Sequence, residues 1–206
     1  MPQKSKRYDR FDKRYYSTDG YEGYEEWHED IARENIIDPL FTLIRPEASW
    51  TFLDVGCGMG GTILDLRKRG FQAFGTEVSA HCLETSPAKE WMGFGESFAL
   101  PQKDRSFDVV ICCDMFQYLT KEQAMQSIGE LARVARQYVS LWVFDPAAPS
   151  WSDTENPDDV RKNDTKGITN DDYAQHFAAH GMESIAMEVD FTEDSGVPEW
   201  HLLFKK

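Results

Sequence analysis

The stretch Thr51-Phe-Leu-Asp-Val-Gly-Cys-Gly-Met-Gly-Gly61 decides the fold of this chain. Its first five residues are typical of a short buried strand. Glycines then dominate a turn that carries few side chains, and a helix follows that should end at Gly70. A strand, a glycine-rich turn and a helix N-terminus together predict a cradle in which a ligand can approach bare backbone N–H groups.

Strands and helices alternate along the remainder of the sequence. Further strands are predicted at residues 72–77, 91–94, 107–113, 138–144, 182–191 and 200–204, with helices at 121–136 and 169–180 and a short helix capped by Ser79. This alternation predicts an α/β fold with a seven-stranded, Rossmann-like, mostly parallel sheet and helices on both faces. Because no helix separates the last two strands, they should form an antiparallel C-terminal pair.

The N-terminal region has a different character from the alternating part. Residues 15–27 are rich in tyrosine and tryptophan, which is typical either of a flap over a pocket or of packing for the helix that follows. An apolar stripe from about Glu25 into the low forties predicts that helix, and Pro39 should kink or divide it. We expect residues 1–48 to form a tail, an aromatic segment and a helical extension packed on a domain at 49–206.

Composition excludes several classes of protein. Hydrophobic residues make up 41% of the chain, as in ordinary globular proteins, and no apolar run is long enough to span a membrane. A net charge of −14 makes nucleic acid an unlikely partner, because a nucleic-acid-binding protein needs a basic surface. No secretory leader is visible, the four cysteines should be reduced, and none has metal-ligand spacing. We therefore expect a cytoplasmic protein with no metal.

The glycine turn alone leaves two ligands open. Gly56, Gly58 and Gly61 satisfy G-x-G-x-x-G, and Glu77 follows about 20 residues later, which also fits a nicotinamide dinucleotide site. Asp54, however, precedes the turn. Its carboxylate is placed poorly beside a pyrophosphate but well beside an ammonium or sulfonium group.

Four stretches resemble motifs of the class I S-adenosylmethionine-dependent methyltransferases, in particular the methyltransferase-11-like group. They are Leu53–Gly60, Gly75–Ser79, Gly95–Pro101 and Ser106–Leu119. The resemblance covers about residues 50–205 and implies S-adenosylmethionine as the cofactor. The family more often has Asp where this chain has Glu96, and often has Glu-His where it has Gln117-Tyr118.

The resemblance also implies which residues hold that cofactor. The methionine part would contact the glycine turn and the end of the fourth strand, where Cys113 would offer its carbonyl to the ammonium group. Glu77 would accept from the ribose hydroxyls, Val78 would pack on adenine, and Glu96 with the Ser97 N–H would read the adenine edge. The implied cofactor-binding residues are Asp54, Gly56, Cys57, Gly58, Glu77, Val78, Glu96, Ser97, Cys113, Asp114 and Met115.

Methyl transfer needs a general base only if the acceptor must lose a proton. Among the possible bases, His28 and Tyr118 are preferred over His176, His180 and His201, because their segments should border the pocket. Asp145, Trp151 and Arg161, in the polar loop at 145–168, are expected to select the acceptor. A small molecule or glycan is the first hypothesis for that acceptor. An NAD(P)-dependent oxidoreductase and a non-catalytic S-adenosylmethionine-binding partner are the alternatives.

Overall fold

A computed structural model of the chain describes residues 8–17, 23–144, 165, 167–191 and 198–206. The chain divides into two compact units, Met1–Glu96 and Ser97–Lys206. Within the described residues, no helix is both long enough and apolar enough to cross a membrane. The expected boundary between residues 48 and 49 stays a prediction.

The first unit begins with a helical region that contains a π-helix. Helix α1 spans Tyr24–Ile31, a π-helical segment spans Ala32–Ile37, and helix α2 spans Asp38–Leu43. The predicted division is therefore present, and the widened segment lies immediately before Asp38-Pro39. Proline has no N–H to donate and its ring crowds the carbonyl four residues earlier, which accounts for a wider turn at this place.

Three parallel strands lie side by side in the described part of the first unit. Strand β1 spans Thr51–Val55, helix α3 spans Gly61–Lys68, strand β2 spans Gln72–Glu77, helix α4 spans Ala80–Thr85 and strand β3 spans Met92–Phe94. Strand β2 pairs with β1 on one side and with β3 on the other. Ser79 caps α4 as predicted, by accepting from the Cys82 N–H. The prediction that Trp91 begins β3 is wrong, because this residue belongs to a preceding 3₁₀ turn.

The described part of the second unit contains four strands and two α-helices. They are β4 (Phe107–Cys112), α5 (Lys121–Val134), β5 (Ala135–Phe144), α6 (Asn170–Ala179), β6 (Glu183–Phe191) and β7 (Pro198–Lys205). Thr120 and Gln123 form a reciprocal capping box at the start of α5. The prediction that α5 continues to Arg136 is wrong, because Ala135 already has extended backbone and pairs with Phe107 of β4.

The strands make one mixed sheet in the order β3-β2-β1-β4-β5-β7-β6. Strand β4 pairs with β5 in parallel, whereas β7 runs antiparallel to both β5 and β6. The predicted seven-stranded, mostly parallel sheet with an antiparallel C-terminal pair is thus confirmed. All four cysteines are free, as expected.

Aromatic side chains pack together within each unit. In the first unit, Phe41, Phe52 and Phe71 form an aromatic cluster with ring centroids 5.2–6.1 Å apart. In the second, Phe177 of α6 stacks on Phe204 of β7 at 3.9 Å. Phe52, Phe177 and Phe204 are fully buried, whereas Phe41 and Phe71 are half-buried. Full burial of a phenylalanine ring stabilises a fold by about 1.5–3 kcal/mol.

Candidate active site

The glycine turn joins the carboxyl end of β1 to α3. Gly56, Gly58 and Gly60 have φ angles of 78°, 51° and 78°, a region that glycine enters without strain. The N–H groups of Gly56 and Cys57 donate to the Thr76 carbonyl of β2, at 2.9 and 3.1 Å. The turn is therefore tied to the neighbouring strand by backbone hydrogen bonds.

Glu77, at the end of β2, is a buried carboxylate that accepts three backbone hydrogen bonds. Oε2 accepts from the Gly58 N–H at 2.8 Å, and Oε1 accepts from the N–H groups of Val78 and Ser79 at 2.7 and 2.8 Å. Burial raises the pKa of Glu77, and the three hydrogen bonds oppose that rise. The sequence predicts a ribose contact for Glu77 but not this role in locking the turn to β2.

Asp54 lies in β1, two residues before the turn, and only 6% of its surface is exposed. The Thr62 hydroxyl of α3 is its hydrogen-bond partner. Burial raises the pKa of Asp54 to about 7, and the nearby Glu77 carboxylate adds to the rise. Among the residues that the structure describes, neither Asp54 nor Glu77 forms an ion pair. The site thus holds two neighbouring buried carboxyl groups without a counter-ion, which favours a cationic ligand.

The Cys57 thiol packs inside the first unit and is not a reactive group of the site. A Cβ added to Gly75 of β2 would lie 2.5 Å from the Cys57 Sγ, so this side chain packs on bare backbone of β2. Burial raises the pKa of the thiol well above its ordinary value. A ligand contact at Cys57 would therefore come from its main chain.

Helix α1 lies directly against the glycine turn. A Cβ on Gly58 would be 2.7 Å from the Tyr24 hydroxyl oxygen, and a Cβ on Gly61 would be 2.3 Å from the His28 carbonyl oxygen. Only glycine allows this approach at Gly61, where the contact is with backbone. The structure thus brings the predicted base His28 next to the turn.

The His28 ring is buried and has one nitrogen without a partner. Its Nδ1 lies 3.0 Å from the Tyr24 carbonyl oxygen, so we assign the hydrogen to Nδ1. Nε2 is then an acceptor, and no hydrogen-bond partner reaches it within the described part of the chain. A buried nitrogen acceptor without a hydrogen bond destabilises the folded protein, and a ligand that donates to it would remove this penalty.

The two predicted adenine contacts of the first unit, Val78 and Glu96, are half-buried. The Tyr8 hydroxyl donates to Oε1 of Glu96. This contact joins residues 88 positions apart. Sequence patterns carry no signal for such a contact.

The remaining predicted site residues belong to the second unit. The Ser97 hydroxyl lies 2.8 Å from that of Ser127, and Tyr118 is half-buried in a 3₁₀ turn, Phe116–Tyr118. Cys113, Asp114 and Met115 follow β4 and are half-buried. Asp145, Trp151 and Arg161 fall outside the described residues.

Asp114 has a strained backbone and an unpartnered oxygen. Its φ angle is 50°, which is uncommon for a residue other than glycine. Oδ1 is buried and has no hydrogen-bond partner among the described residues, and burial raises the pKa of the carboxyl group to about 6. Strain of this kind concentrates at functional sites. The sequence does not reveal it, because any residue type can be forced into this region by its surroundings.

The fold and the glycine turn define a class I methyltransferase architecture, and solved structures agree. Magnesium protoporphyrin IX methyltransferase from Synechocystis PCC 6803, with bound SAH, matches with a TM-score of 0.65 at 18% identity, over 96% of this chain and 93% of that one. The PH0226 protein of Pyrococcus horikoshii OT3 matches with a TM-score of 0.69 at 16% identity, over 94% and 98%. At these identities the likeness shows the fold alone.

Sequence comparison matches part of the chain to known methyltransferases. Residues 52–138 match the family model described as a methyltransferase domain. A protein of Geobacillus sp. (strain WCH70), provisionally named a methyltransferase, is 27% identical over 120 residues, which is 52% of this chain and 49% of that protein. The chain thus spans about half the length of this curated relative. Residues 52–138 are thus similar in sequence to a methyltransferase domain.

Proposed function

We propose that this chain transfers a methyl group from S-adenosylmethionine to a small-molecule or glycan acceptor. The observation that carries the proposal is the pair of buried carboxyl groups at the glycine turn, Asp54 and Glu77, for which the described residues supply no cation. A ligand with an ammonium or sulfonium group satisfies such a pair, whereas a pyrophosphate would be repelled. The residues present therefore fit this cofactor better than a nicotinamide dinucleotide.

Each part of the cofactor has residues of matching chemistry. Asp54 would hold the ammonium group beside the bare backbone of Gly56 and Gly58. Glu77 has lone pairs left on its carboxylate for ribose hydroxyls, since three backbone donors do not exhaust its four acceptor sites. Val78 and Glu96 would contact adenine. The resemblance adds Cys57, Ser97, Cys113, Asp114 and Met115.

The cofactor supplies an activated methyl group, so the protein needs to bind, orient and deprotonate the acceptor. His28 is the proposed base. With Nδ1 held by the Tyr24 carbonyl, its Nε2 can take the proton that a hydroxyl or amine acceptor loses as its bond to the methyl carbon forms. Tyr118 stays the second candidate.

Two features support a small acceptor. The net charge of −14 is unfavourable for binding nucleic acid. The run Asp114-Met-Phe-Gln117 also differs from the Asn/Asp-Pro-Pro-aromatic run of families that methylate adenine or glutamine amides. One protein of the same fold is a magnesium protoporphyrin IX methyltransferase, so the fold accommodates a small acceptor.

The first test is a calorimetric titration with S-adenosylhomocysteine and, separately, with NADPH. We expect binding of the first and none of the second, and tight NADPH binding alone would contradict the proposal. The second test follows label from S-adenosyl-[methyl-³H]methionine into separated cell-extract fractions. Label confined to protein or nucleic acid would overturn the acceptor class, and no transfer to any fraction would favour the non-catalytic alternative.

The role of His28 is tested by His28→Asn, which keeps a donor for the Tyr24 carbonyl but removes Nε2. We expect transfer to slow by roughly 100-fold, the usual contribution of a general base, with S-adenosylhomocysteine affinity unchanged. His176→Asn is the matched control, because His176 is exposed on α6. If both variants transfer at the wild-type rate, His28 is not the base.

A further inference from the structure

Residues 8–17, here called the N-terminal strap, contact the positions that would hold the adenosine part of the cofactor. The Tyr8 hydroxyl donates to Glu96, and the Tyr8 ring lies 6.3 Å from that of Phe94. The Phe11 carbonyl accepts a hydrogen bond from the Ser79 hydroxyl, next to Val78. The strap is thus attached at both the β2 end and the Glu96 loop of the first unit.

The far end of the strap lies beside Glu77. Tyr16 is 8% exposed and stacks on Tyr24 and His81, with ring centroids 5.7 and 6.0 Å apart. Burial raises the pKa of the Tyr16 phenol well above its ordinary value, and the Glu77 carboxylate contributes to the rise. The strap therefore runs from Glu96 to Glu77, along the two carboxylates assigned to adenine and ribose.

We infer that Tyr8 is a positioning residue for adenine recognition. Its hydroxyl engages Oε1 of Glu96 and leaves Oε2 free to accept from the exocyclic amine of the base. This inference rests on the proposed function, since it assigns the specificity of that same site. It also makes a residue well outside the matched domain, residues 52–138, part of the cofactor site.

The chemistry predicts a measurable selectivity. A carboxylate is an acceptor only, so it pairs with the amine of adenine and is repelled by the carbonyl oxygen at the same place in hypoxanthine. A Glu96 side chain that Tyr8 holds in place discriminates between these bases more strongly than one that can rotate away. Freeing Glu96 should therefore reduce the discrimination more than it reduces overall affinity.

The experiment measures dissociation constants of S-adenosylhomocysteine and S-inosylhomocysteine for the full chain by calorimetry. Tyr8→Phe removes the hydroxyl and keeps the ring against Phe94. We expect the preference for the adenine ligand to fall by roughly 3- to 10-fold, the net effect of one hydrogen bond of ordinary strength. Tyr15→Phe, which removes a hydroxyl from the same strap, is the control and should leave the preference unchanged.

A double-mutant cycle separates positioning from simple packing. We expect Glu96→Gln to abolish the preference, and Tyr8→Phe added to it to change nothing further, because the two side chains act as one unit. Equal loss of affinity for both ligands in Tyr8→Phe, or additive losses in the double variant, would overturn the inference. Thermal unfolding of each variant checks that it is folded.

The outcomes also separate this inference from the proposed function. If the wild-type chain binds neither ligand, the proposed function has failed. If it binds S-adenosylhomocysteine with an adenine preference that Tyr8→Phe leaves intact, only the role of Tyr8 has failed.

Discussion

Two charged clusters in this molecule are built in opposite ways. In the second unit, Arg133 donates from Nε and Nη2 to Glu130 at 2.7 and 2.8 Å and from Nη1 to Asp104 at 2.7 Å. The bonds from Arg133 to Glu130 hold the pKa of Glu130 below its ordinary value. In the first unit, Asp54 and Glu77 are more deeply buried and have no cationic partner among the described residues. Burial therefore raises the pKa of both carboxyl groups.

The Arg133 cluster pairs opposite charges within the folded protein. The Asp54–Glu77 pair lacks a counter-ion among the described residues, as expected for a site that binds a cationic ligand. Arg133 is satisfied by acidic side chains and by the carbonyl groups of Leu100 and Gln102, so it stabilises the fold by itself. Asp54 has a hydroxyl partner and no cation within the described residues. Burying a carboxylate in this way costs stability, and such a cost is typical of a binding site.

The largest effect is expected at Glu77, because three backbone donors depend on it. Glu77→Ala would leave the N–H groups of Gly58, Val78 and Ser79 without an acceptor. We expect a loss of about 3 kcal/mol in the free energy of unfolding, measured by urea denaturation, together with loss of S-adenosylhomocysteine binding. Glu47→Ala, at an exposed turn before β1, is the control. If the variant is as stable as the wild type, the conformation of the glycine turn does not depend on the hydrogen bonds to Glu77.

Asp54 should make the stability of the free protein depend on pH. Its pKa is about 7 in the folded chain against 3.8 in the unfolded chain. Between these values the folded state binds a proton that the unfolded state has released, so stability falls as pH rises from about 4 to about 7. Asp54→Asn should remove this fall and be more stable than wild type at pH 8 by about 2 kcal/mol. Parallel pH dependence of the two unfolding curves would contradict the assignment.

Substitution in the Arg133 cluster should have a smaller effect on stability and no effect on cofactor binding. Arg133→Gln removes its bonds to Glu130 and Asp104, but these groups can reach water. We expect a loss of about 1 kcal/mol in unfolding free energy, measured by urea denaturation, and an unchanged dissociation constant for S-adenosylhomocysteine. A large change in that constant would mean that the two clusters are not independent.

Local pattern predicted most of the fold. Strands β1 and β2 have their predicted bounds, and Ser79 caps α4 as predicted, by accepting from the Cys82 N–H. The errors lie at junctions. The Val134–Ala135 boundary is decided by pairing with β4, which the local sequence does not contain.

The sequence predicts which residues belong to the candidate site but not the contacts that they make with distant segments. Glycines and acids at motif spacing identify Asp54, Gly58 and Glu77 from the amino-acid sequence alone. The bond from Tyr8 to Glu96 and the contact of Tyr24 with the turn join distant segments, so only the folded chain reveals them. The strained φ of Asp114 is likewise a property of its surroundings.

The central claim is that a cationic ligand completes the Asp54–Glu77 pair, and proton release on binding tests it most directly. Calorimetric titration of S-adenosylhomocysteine at pH 6, in buffers of different ionisation enthalpy, counts the protons exchanged. Because the pKa of Asp54 is about 7 in the free protein, we predict that the wild-type chain releases close to one proton more than Asp54→Asn does, with affinity for the variant lower by roughly 10- to 100-fold. Binding without proton release, or equal release and affinity in the variant, would contradict the account.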